Sequence, residues 1–380
     1  MIMRALIRRR VTTRTVIGLL LLTAQIALAA SAAAQEPAPA RGWWQVPATD
    51  LAFGSPLCIG FDPAGAAWIG TRGGVNLLRL DGSRDGISLS DPNVDVVAAV
   101  TAPDGAVWLA TDSAAGPASG VYVFWPDGRQ TSYTVYDGLA DNHVRDIAFG
   151  PVGDVWVATA GGLGHLAADG SWGRFTRAAG LIDDDVYALA FDGEGNLWIG
   201  AWASFTVSDG LAGEWVRDVA VDAAGNVWCA TGLGLSALAP DGQWRTMTVE
   251  DGLASNAING LAPDAAGGVW IATNEGANYL APNGQILTYN QDSGLLSDQV
   301  AAVEIDPQGQ PWFATAGGVS VLIGGLGDTP TGRGAAESRV ALASPSVAMP
   351  LQPSPVVPLQ PLPAAPLLER TSAPLFVEIG

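Results

Sequence analysis

The chain has 380 residues, of which 48% are hydrophobic and 14% charged, so it is long and apolar enough to bury a large core. Its 18 basic residues are all Arg and 37 residues are acidic, giving a formal net charge of −19. A surface this acidic repels phosphate backbones, which argues against nucleic-acid partners. Gly (48 residues) and Trp (14 residues) are frequent, a mixture typical of many short strands joined by tight turns.

Residues 1–34 have the organisation of an export signal. The segment contains five Arg and no acid, followed by an apolar run at Val16–Ala30 and by small residues at Ala32–Ala34 that suit cleavage before Gln35. The alternative is an uncleaved anchor, because the apolar stretch is just long enough to span a bilayer. The sequence therefore predicts a signal peptide, a short linker over 35–42 and an exported protein in the periplasm, at the cell surface or outside the cell. Membrane attachment is expected only if the leader is retained.

A Trp-anchored repeat occupies residues 43–325. Its form varies from DPAGAAWIGT at Trp68 to DPQGQPWFAT at Trp312, and seven copies can be aligned. The anchors are Trp68, Trp108, Trp156, Trp198, Trp228, Trp270 and Trp312. Most are separated by about 42 residues, the length of one four-stranded propeller blade. The sequence therefore predicts an all-β fold, a seven-bladed β-propeller.

Each unit has the same internal order. It begins with a short apolar run such as VYALAFD at Val186–Asp192, which is typical of a strand buried on both faces. A D-x-x-G turn, the Trp strand, a third strand and an often aromatic fourth strand follow, and the unit ends in D-G-L. The Trp side chains are expected to fill the space between neighbouring blades.

Two irregularities refine this prediction. The last unit ends without a fourth strand, while an additional aromatic strand, Trp43–Val46, precedes the first unit. We expect that strand to complete the last blade and close the ring. The unit at Val186–Asp209 lacks about 12 residues, roughly one strand and its turn, so a short blade with weaker packing or an open notch is expected there.

Residues 326–380 are rich in Pro and Ala, which predicts an extended or disordered tail, although the final segment APLFVEIG could form a strand. The only cysteines, Cys58 and Cys229, fall in different units, so two free and mostly buried thiols are expected. The two histidines, His143 and His165, are too few for a His-based metal site.

The repeat resembles that of the two-component regulator propeller family. The family pattern D-G-L-x-x-N-x-[VI]-x-x-[IL]-A, followed by the Trp strand, is present as DGLADNHVRDIAFGPVGDVWVAT (Asp137–Thr159) and DGLASNAINGLAPDAAGGVWIAT (Asp251–Thr273). The resemblance implies an extracytoplasmic sensor-type propeller, often for glycans and commonly joined to a kinase. These 380 residues contain no kinase sequence, so the expectation is a sensor-type module without a kinase. It is expected to be non-enzymatic and monomeric, and to bind a small molecule or glycan.

Two alternatives remain open. The repeat length is also similar to that of the streptogramin lyase family, whose chemistry needs a His base, supporting His or Glu groups and a metal. A lyase of that kind would have to use His143 or His165, whereas a hydrolase on the same scaffold could use paired carboxylates, which are common in so acidic a chain. The other alternative is a protein-interaction scaffold whose tail binds an envelope protein.

Candidate ligand residues are those that the repeat places on the loops of one face, because sites lie on loops held by a rigid scaffold. They are Arg72, Asp112, Asp141, Asn142, His143, Asp183, Asp184, Trp202, Trp215, Asn256, Asn274 and Asp298. No nucleophile elbow or phosphate loop is present, and no catalytic residue is assigned. No cofactor is expected, although the carboxylates at Asp183–Asp185 leave Ca²⁺ as an alternative to a solvated acidic turn. Trp202 and Trp215, which lie off the repeat position, either stack on a ligand or fill the space left by the missing strand.

Overall fold

The computed structural model describes residues 42–89, 91–113, 119–181, 183–201, 207, 209–324 and, as backbone only, 376–379. These residues form 27 β-strands and four single-turn 3-10 helices, which confirms the all-β class. The helices are Ala48–Asp50, Arg177–Ala179, Val249–Asp251 and Gln291–Ser293. The described part of the chain contains no helix with the length and hydropathy needed to span a bilayer.

The strands form the sheets of a propeller. From β1 to β13 they are β1 (Gly42–Pro47), β2 (Cys58–Phe61), β3 (Ala67–Thr71), β4 (Gly74–Leu78), β5 (Arg84–Ser88), β6 (Asp95–Thr101), β7 (Val107–Asp112), β8 (Val121–Phe124), β9 (Gln130–Tyr133), β10 (Val144–Phe149), β11 (Val155–Thr159), β12 (Gly162–Leu166) and β13 (Trp172–Phe175). From β14 to β27 they are β14 (Val186–Phe191), β15 (Leu197–Ala201), β16 (Val216–Val221), β17 (Val227–Thr231), β18 (Leu235–Leu238), β19 (Trp244–Met247), β20 (Ile258–Pro263), β21 (Val269–Thr273), β22 (Gly276–Leu280), β23 (Ile286–Tyr289), β24 (Val300–Ile305), β25 (Pro311–Thr315), β26 (Gly318–Ile323) and β27 (Phe376–Ile379).

Among the described residues, six sheets are complete four-stranded blades: β2–β5, β6–β9, β10–β13, β16–β19, β20–β23 and the closing blade. The repeat predicts seven blades, and the structure differs at one of them, the unit of Trp198. Within its described residues that unit supplies only β14 and β15, and these form what we call the short sheet. The shortening follows from the residues that this unit lacks between its Trp strand and its D-G-L turn.

The closing blade confirms the predicted role of the N-terminal strand. β1 pairs antiparallel with β26, which continues through β25 to β24. The register places Trp44 opposite Val321 and Val46 opposite Val319. Trp44 also packs edge-on against Trp312, with ring centroids 5.7 Å apart. Strands from the two ends of the repeat region therefore share one sheet.

The short sheet contains an unexpected third strand. β27 pairs in parallel with β15, from Leu197 opposite Phe376 to Gly200 opposite Ile379. Residues 376–379 of the predicted disordered tail are thus a strand, because the free edge of β15 offers backbone groups that need partners. The rest of the tail and the leader lie outside the described residues, so their boundaries stay predictions.

The Trp anchors lie in the core between neighbouring sheets, as expected. Six of the seven are buried, and the exception is Trp198 in the short sheet, which is partly exposed. In four units the Asp that opens the D-x-x-G turn accepts a hydrogen bond from the indole N–H six residues later, as between Asp306 and Trp312 at 3.0 Å. Cys58 and Cys229 are free and buried, also as predicted, and burial raises the pKa of Cys58 to about 12.

Candidate ligand site at the channel mouth

Seven inner strands, the first strand of each unit, line a central channel that holds a cavity of about 180 Å³. In five of them the pairing with the second strand shifts directly after the first residue, and in β6 it shifts after the second residue, Val96. Such a β-bulge re-aims side chains, and here two consecutive side chains face the channel. We call the face where the inner strands begin the mouth face.

The first of these two positions forms a ring at the mouth. It contains Leu57, Val97, Arg145, Tyr187, Arg217, Asn259 and Ala301. The second position forms a ring of mostly smaller side chains below it, containing Cys58, Ala98, Asp146, Ala188, Asp218, Gly260 and Ala302. Large polar side chains are therefore confined to four neighbouring units of the upper ring.

Four side chains of this region form a continuous arginine–aromatic row, consisting of Arg145, Tyr187, Trp215 and Arg217. The guanidinium of Arg145 lies 4.2 Å from the ring centroid of Tyr187, and that of Arg217 lies 4.8 Å from the ring of Trp215. The two rings meet edge to face, with centroids 5.7 Å apart. Trp215 is 41% exposed, so the row combines cation–π contacts with an open aromatic surface.

A carboxylate holds one end of the row. Nη2 of Arg145 lies 2.9 Å from Oδ1 of Asp185, and the hydroxyl of Tyr187 donates to Oδ2 of the same carboxylate at 2.6 Å. Burial and this hydrogen bond raise the pKa of Tyr187 to about 12, so the phenol stays protonated at neutral pH. The charge of Arg145 is therefore neutralised locally.

Amides hold the other end. Nη1 of Arg217 donates to Oδ1 of Asn259 at 3.0 Å and to the carbonyl of Ile258 at 3.4 Å. Asn259 in turn donates to Oδ1 of Asn274 at 2.8 Å and to the carbonyl of Val300 at 2.8 Å. This network fixes the orientation of the Arg217 guanidinium without a carboxylate.

Three carboxyl groups lie deeper in the channel. Desolvation raises the pKa of Asp146 to about 7, of Asp218 to about 6 and of Glu304 to about 8, and repulsion from Asp218 adds to the shifts of the other two. Asp146 and Asp218 accept 2.8 Å hydrogen bonds from the backbone of the neighbouring inner strand, at Leu189 and Leu261. The Glu304 carboxyl has solvent contact within the channel, but surrounding protein limits its hydration.

Four of the predicted ligand residues have a structural role in common. Each accepts a hydrogen bond from the backbone N–H seven residues earlier, at 2.6–2.8 Å. They are Asn142, Asp184, Asn256 and Asp298. One oxygen of each side chain is thus used to fold the loop ahead of its inner strand.

The remaining predicted residues are spread around the mouth face. Arg72 forms an ion pair with Asp95 at 2.7 Å, and Asp112 lies opposite Asp95 at the end of β7. Asp141 accepts from the backbone of His143, and Asp183 accepts from that of Asp185.

Trp215 and Asn274 are the predicted residues that the structure brings to the row, whereas Trp202 lies outside the described residues. Arg145, Tyr187, Arg217 and Asn259 were missed by the sequence analysis. The available signal was a large polar residue directly after the first Val or Ile of an inner strand, where other units have Val97 or Ala301.

The histidines lie at opposite ends of one blade. Nε2 of His143 is 3.1 Å from the carbonyl of Ser113 on the mouth face. His165 lies in β12 and stacks on Trp156 of β11, with ring centroids 4.1 Å apart. The Nε2 atom of His165 is 2.9 Å from the carboxylate of Asp154. No group of three or more His, Cys, Asp or Glu side chains within the described residues is arranged to hold a metal ion.

A larger cleft of about 550 Å³ lies on the opposite face, between the blades of Trp228 and Trp270. Its lining includes Asp222 and Asn226, whose side chains hydrogen-bond to each other at 2.7 Å, and Asp222 also accepts from Trp228. These two side chains therefore serve the turn and the Trp anchor.

The model of the two-component regulator propeller matches residues 180–203 and 252–275, within the short unit and the unit of Trp270. These two segments are similar to the two-component regulator propeller repeat. No curated protein is significantly similar to it in sequence.

Several solved structures share the fold of these repeats. The extracellular domain of the hybrid two-component system BT3049 from B. thetaiotaomicron superposes with a TM-score of 0.66 at 19% identity, over 74% of this chain and 41% of that one. The extracellular domain of the one-component system BT4673 from the same organism gives 0.56 at 17%, over 75% and 40%. This chain therefore spans about two fifths of their length.

Virginiamycin B lyase from Staphylococcus aureus gives a TM-score of 0.61 at 17% identity, over 74% of this chain and 98% of the lyase. At such identities the likeness concerns the propeller fold alone, and the function has to be argued from the site.

Proposed function

We propose that this chain is an exported, sensor-type propeller that binds a glycan or small molecule over the channel mouth without transforming it. In this proposal the short sheet counts as the seventh position of the ring. Two findings support it: two segments match the two-component regulator propeller repeat, and similar propellers occur in extracellular domains of a two-component and a one-component system.

The observation that carries the proposal is the arginine–aromatic row. Trp215 presents an open ring beside Tyr187, and Arg217 and Asn274 supply hydrogen-bond donors next to it. Concave sites typically bind a ligand against aromatic side chains, and a few oriented polar groups fix the orientation of the ligand. The 41% exposure of Trp215 leaves part of its ring available to a ligand.

A lyase on the same scaffold is the alternative that the fold leaves open. Its base would have to be His143 or His165, but the second is held between Trp156 and Asp154 and the first contacts a backbone carbonyl. Each histidine therefore has a structural partner. Because the two lie at opposite ends of one blade, they cannot act together as catalytic groups.

The proposal is tested with Trp215→Ala. We expect ligands from a panel of neutral and acidic oligosaccharides to raise the thermal midpoint of the wild type, and the variant to bind the same ligands at least about tenfold more weakly, equivalent to about 1.4 kcal/mol. Tyr136→Ala removes another exposed aromatic ring, 93% accessible, and is the matched control. Equal binding by Trp215→Ala would contradict the site, and chemical conversion of a bound ligand would contradict the non-enzymatic function.

A further inference from the structure

Arg217 differs from the other arginines of the mouth in its partners. Arg72 and Arg145 each lie within 2.9 Å of an Asp carboxylate. Arg217 has no carboxylate of a described residue within ion-pair distance, although the chain contains 37 acidic residues. A fixed positive charge at the rim of the channel thus remains uncompensated within the described part of the protein.

The hydrogen bonds of Arg217 leave one edge of its guanidinium open. Both bonds to protein come from Nη1, one to Asn259 and one to Ile258, while the ring of Trp215 supports the plane at 4.8 Å. Nε and Nη2 therefore have no acceptor among the described residues. This is the edge that donates two parallel hydrogen bonds to a carboxylate, and here it is already held in position.

The surroundings of this edge indicate what carries the carboxylate. Trp215 and Tyr187 offer ring surface beside it, and the Asn274 amide nitrogen has no acceptor among the described residues. A pyranose ring stacks on such a surface, and its hydroxyls accept from an amide. Asp185 does not compete for Arg217, because it pairs with Arg145 and Tyr187.

We propose that the Nε/Nη2 edge of Arg217 binds the carboxylate of a uronic-acid unit whose sugar ring packs on the Trp215–Tyr187 surface. The inference rests on the proposed function and narrows its ligand to an acidic saccharide. No bond is made or broken. Binding exchanges the hydration of the guanidinium edge for two charge-assisted hydrogen bonds.

The test is calorimetric titration of the whole protein with trigalacturonate and with glucuronate-containing oligosaccharides. The fully methyl-esterified trigalacturonate keeps the rings and removes the charge, and succinate supplies carboxylates without a sugar. Arg217→Gln should weaken binding of the acidic saccharide by about tenfold or more, because hydrogen bonds to charged groups are the strong ones. Arg217→Lys, which keeps the charge but loses the fork, should give an intermediate loss.

Arg129→Gln is the matched control, since Arg129 also lies over a Trp ring, that of Trp125 at 5.0 Å, but is paired with Asp127 in a turn away from the mouth. Support requires the acidic saccharide to bind more tightly than its ester and than succinate, with the loss confined to the Arg217 variants. Equal binding of acid and ester, or unchanged binding by Arg217→Gln, overturns the carboxylate inference. If Trp215→Ala still abolishes that binding, the proposed function stands. Failure of every uronate to bind also overturns the inference, whereas the proposed function fails only if no neutral saccharide or metabolite binds either.

Discussion

At the scale of single residues, a carboxylate–indole hydrogen bond is the element that the units repeat. Other units depart from it: in the unit of Trp270 the carboxylate of Asp264 accepts from the hydroxyl of Tyr279, and in the unit of Trp156 another carboxylate takes over. The unit of Trp156 has Gly150 at the Asp position, and Asp154 reaches the indole instead at 2.8 Å. A Cβ built on Gly150 would lie 2.0 Å from an oxygen of Asp154, so the carboxylate occupies the space that the missing side chain leaves. In this unit the contact is kept although the residue that makes it differs.

The pair of Trp312 and Asp306 allows this to be measured, because their exposures are 0% and 4%. Trp312→Ala should lower the free energy of unfolding by about 3–5 kcal/mol, the cost of truncating a large buried ring. Asp306→Ala should cost about 1–3 kcal/mol, because it leaves the buried indole N–H without an acceptor. Urea denaturation gives both values, with Tyr136→Ala as a neutral control. A Trp312→Ala protein as stable as the wild type would refute the structural role of the anchors.

The anchor residues could be predicted from the sequence, whereas most side chains of the arginine–aromatic row could not. Trp and Asp recur at fixed spacing, and so do the loop amides such as Asn142 and Asn256, which the structure finds bonded to backbone. Arg145 and Arg217 depart from the repeat at a position where a bulge turns the side chain into the channel. A bulge has no distinctive residue pattern here, so the orientation of these side chains could not be read from alternation along the strand.

At the scale of elements, β1 and β27 each join a sheet whose other strands are distant in sequence. Only the pairing of β1 could be predicted from the sequence. β1 carries two Trp and precedes a last unit that lacks a fourth strand, so its pairing could be inferred from composition and counting. β27 pairs in parallel with a strand almost 180 residues earlier. Parallel strands are not joined by a tight turn, so no turn motif in the sequence indicates the pairing. The missing residues of the short unit predicted a free edge there, but not its occupant.

The pairing of β27 predicts a local effect of truncation. Removing residues 376–380 should expose the edge of β15, because the parallel register runs along Leu197–Gly200. Backbone amides of β15 should then exchange with solvent roughly tenfold faster, while those of the six complete blades keep their protection. Removing only Gly380 is the control, since it lies beyond the paired residues. Unchanged exchange in β15 after the longer truncation would show that β27 does not protect that edge.

At the scale of the whole molecule, ring closure gathers acidic groups that are far apart in sequence. Asp146, Asp218 and Glu304 come from three different units, and each faces the same channel. Hydration is restricted there and the carboxylates repel one another, so their pKa values rise together to about 7, 6 and 8. No single unit has this property, because it arises only when the inner strands are brought into one ring.

The consequence is a pH dependence of stability with a defined sign. Unfolded carboxyls titrate near pH 4, so between about pH 4 and pH 8 the folded state binds more protons than the unfolded chain. Stability contributed by these groups is therefore present at low pH and is lost as pH rises through their folded pKa values. We expect the thermal midpoint to fall between pH 5.5 and pH 8.5, by less than three fully buried carboxyls would give, because the Glu304 side chain is exposed to solvent in the channel. Glu304→Gln should reduce that fall and stabilise the protein most at pH 8.5, because it removes the group with the highest pKa of the three.

Glu275→Gln changes an exposed carboxylate on a mouth loop and should keep the wild-type profile. A midpoint that rises across this interval, or a Glu304→Gln protein with an unaltered profile, would mean that the channel carboxyls do not control the pH response of the propeller.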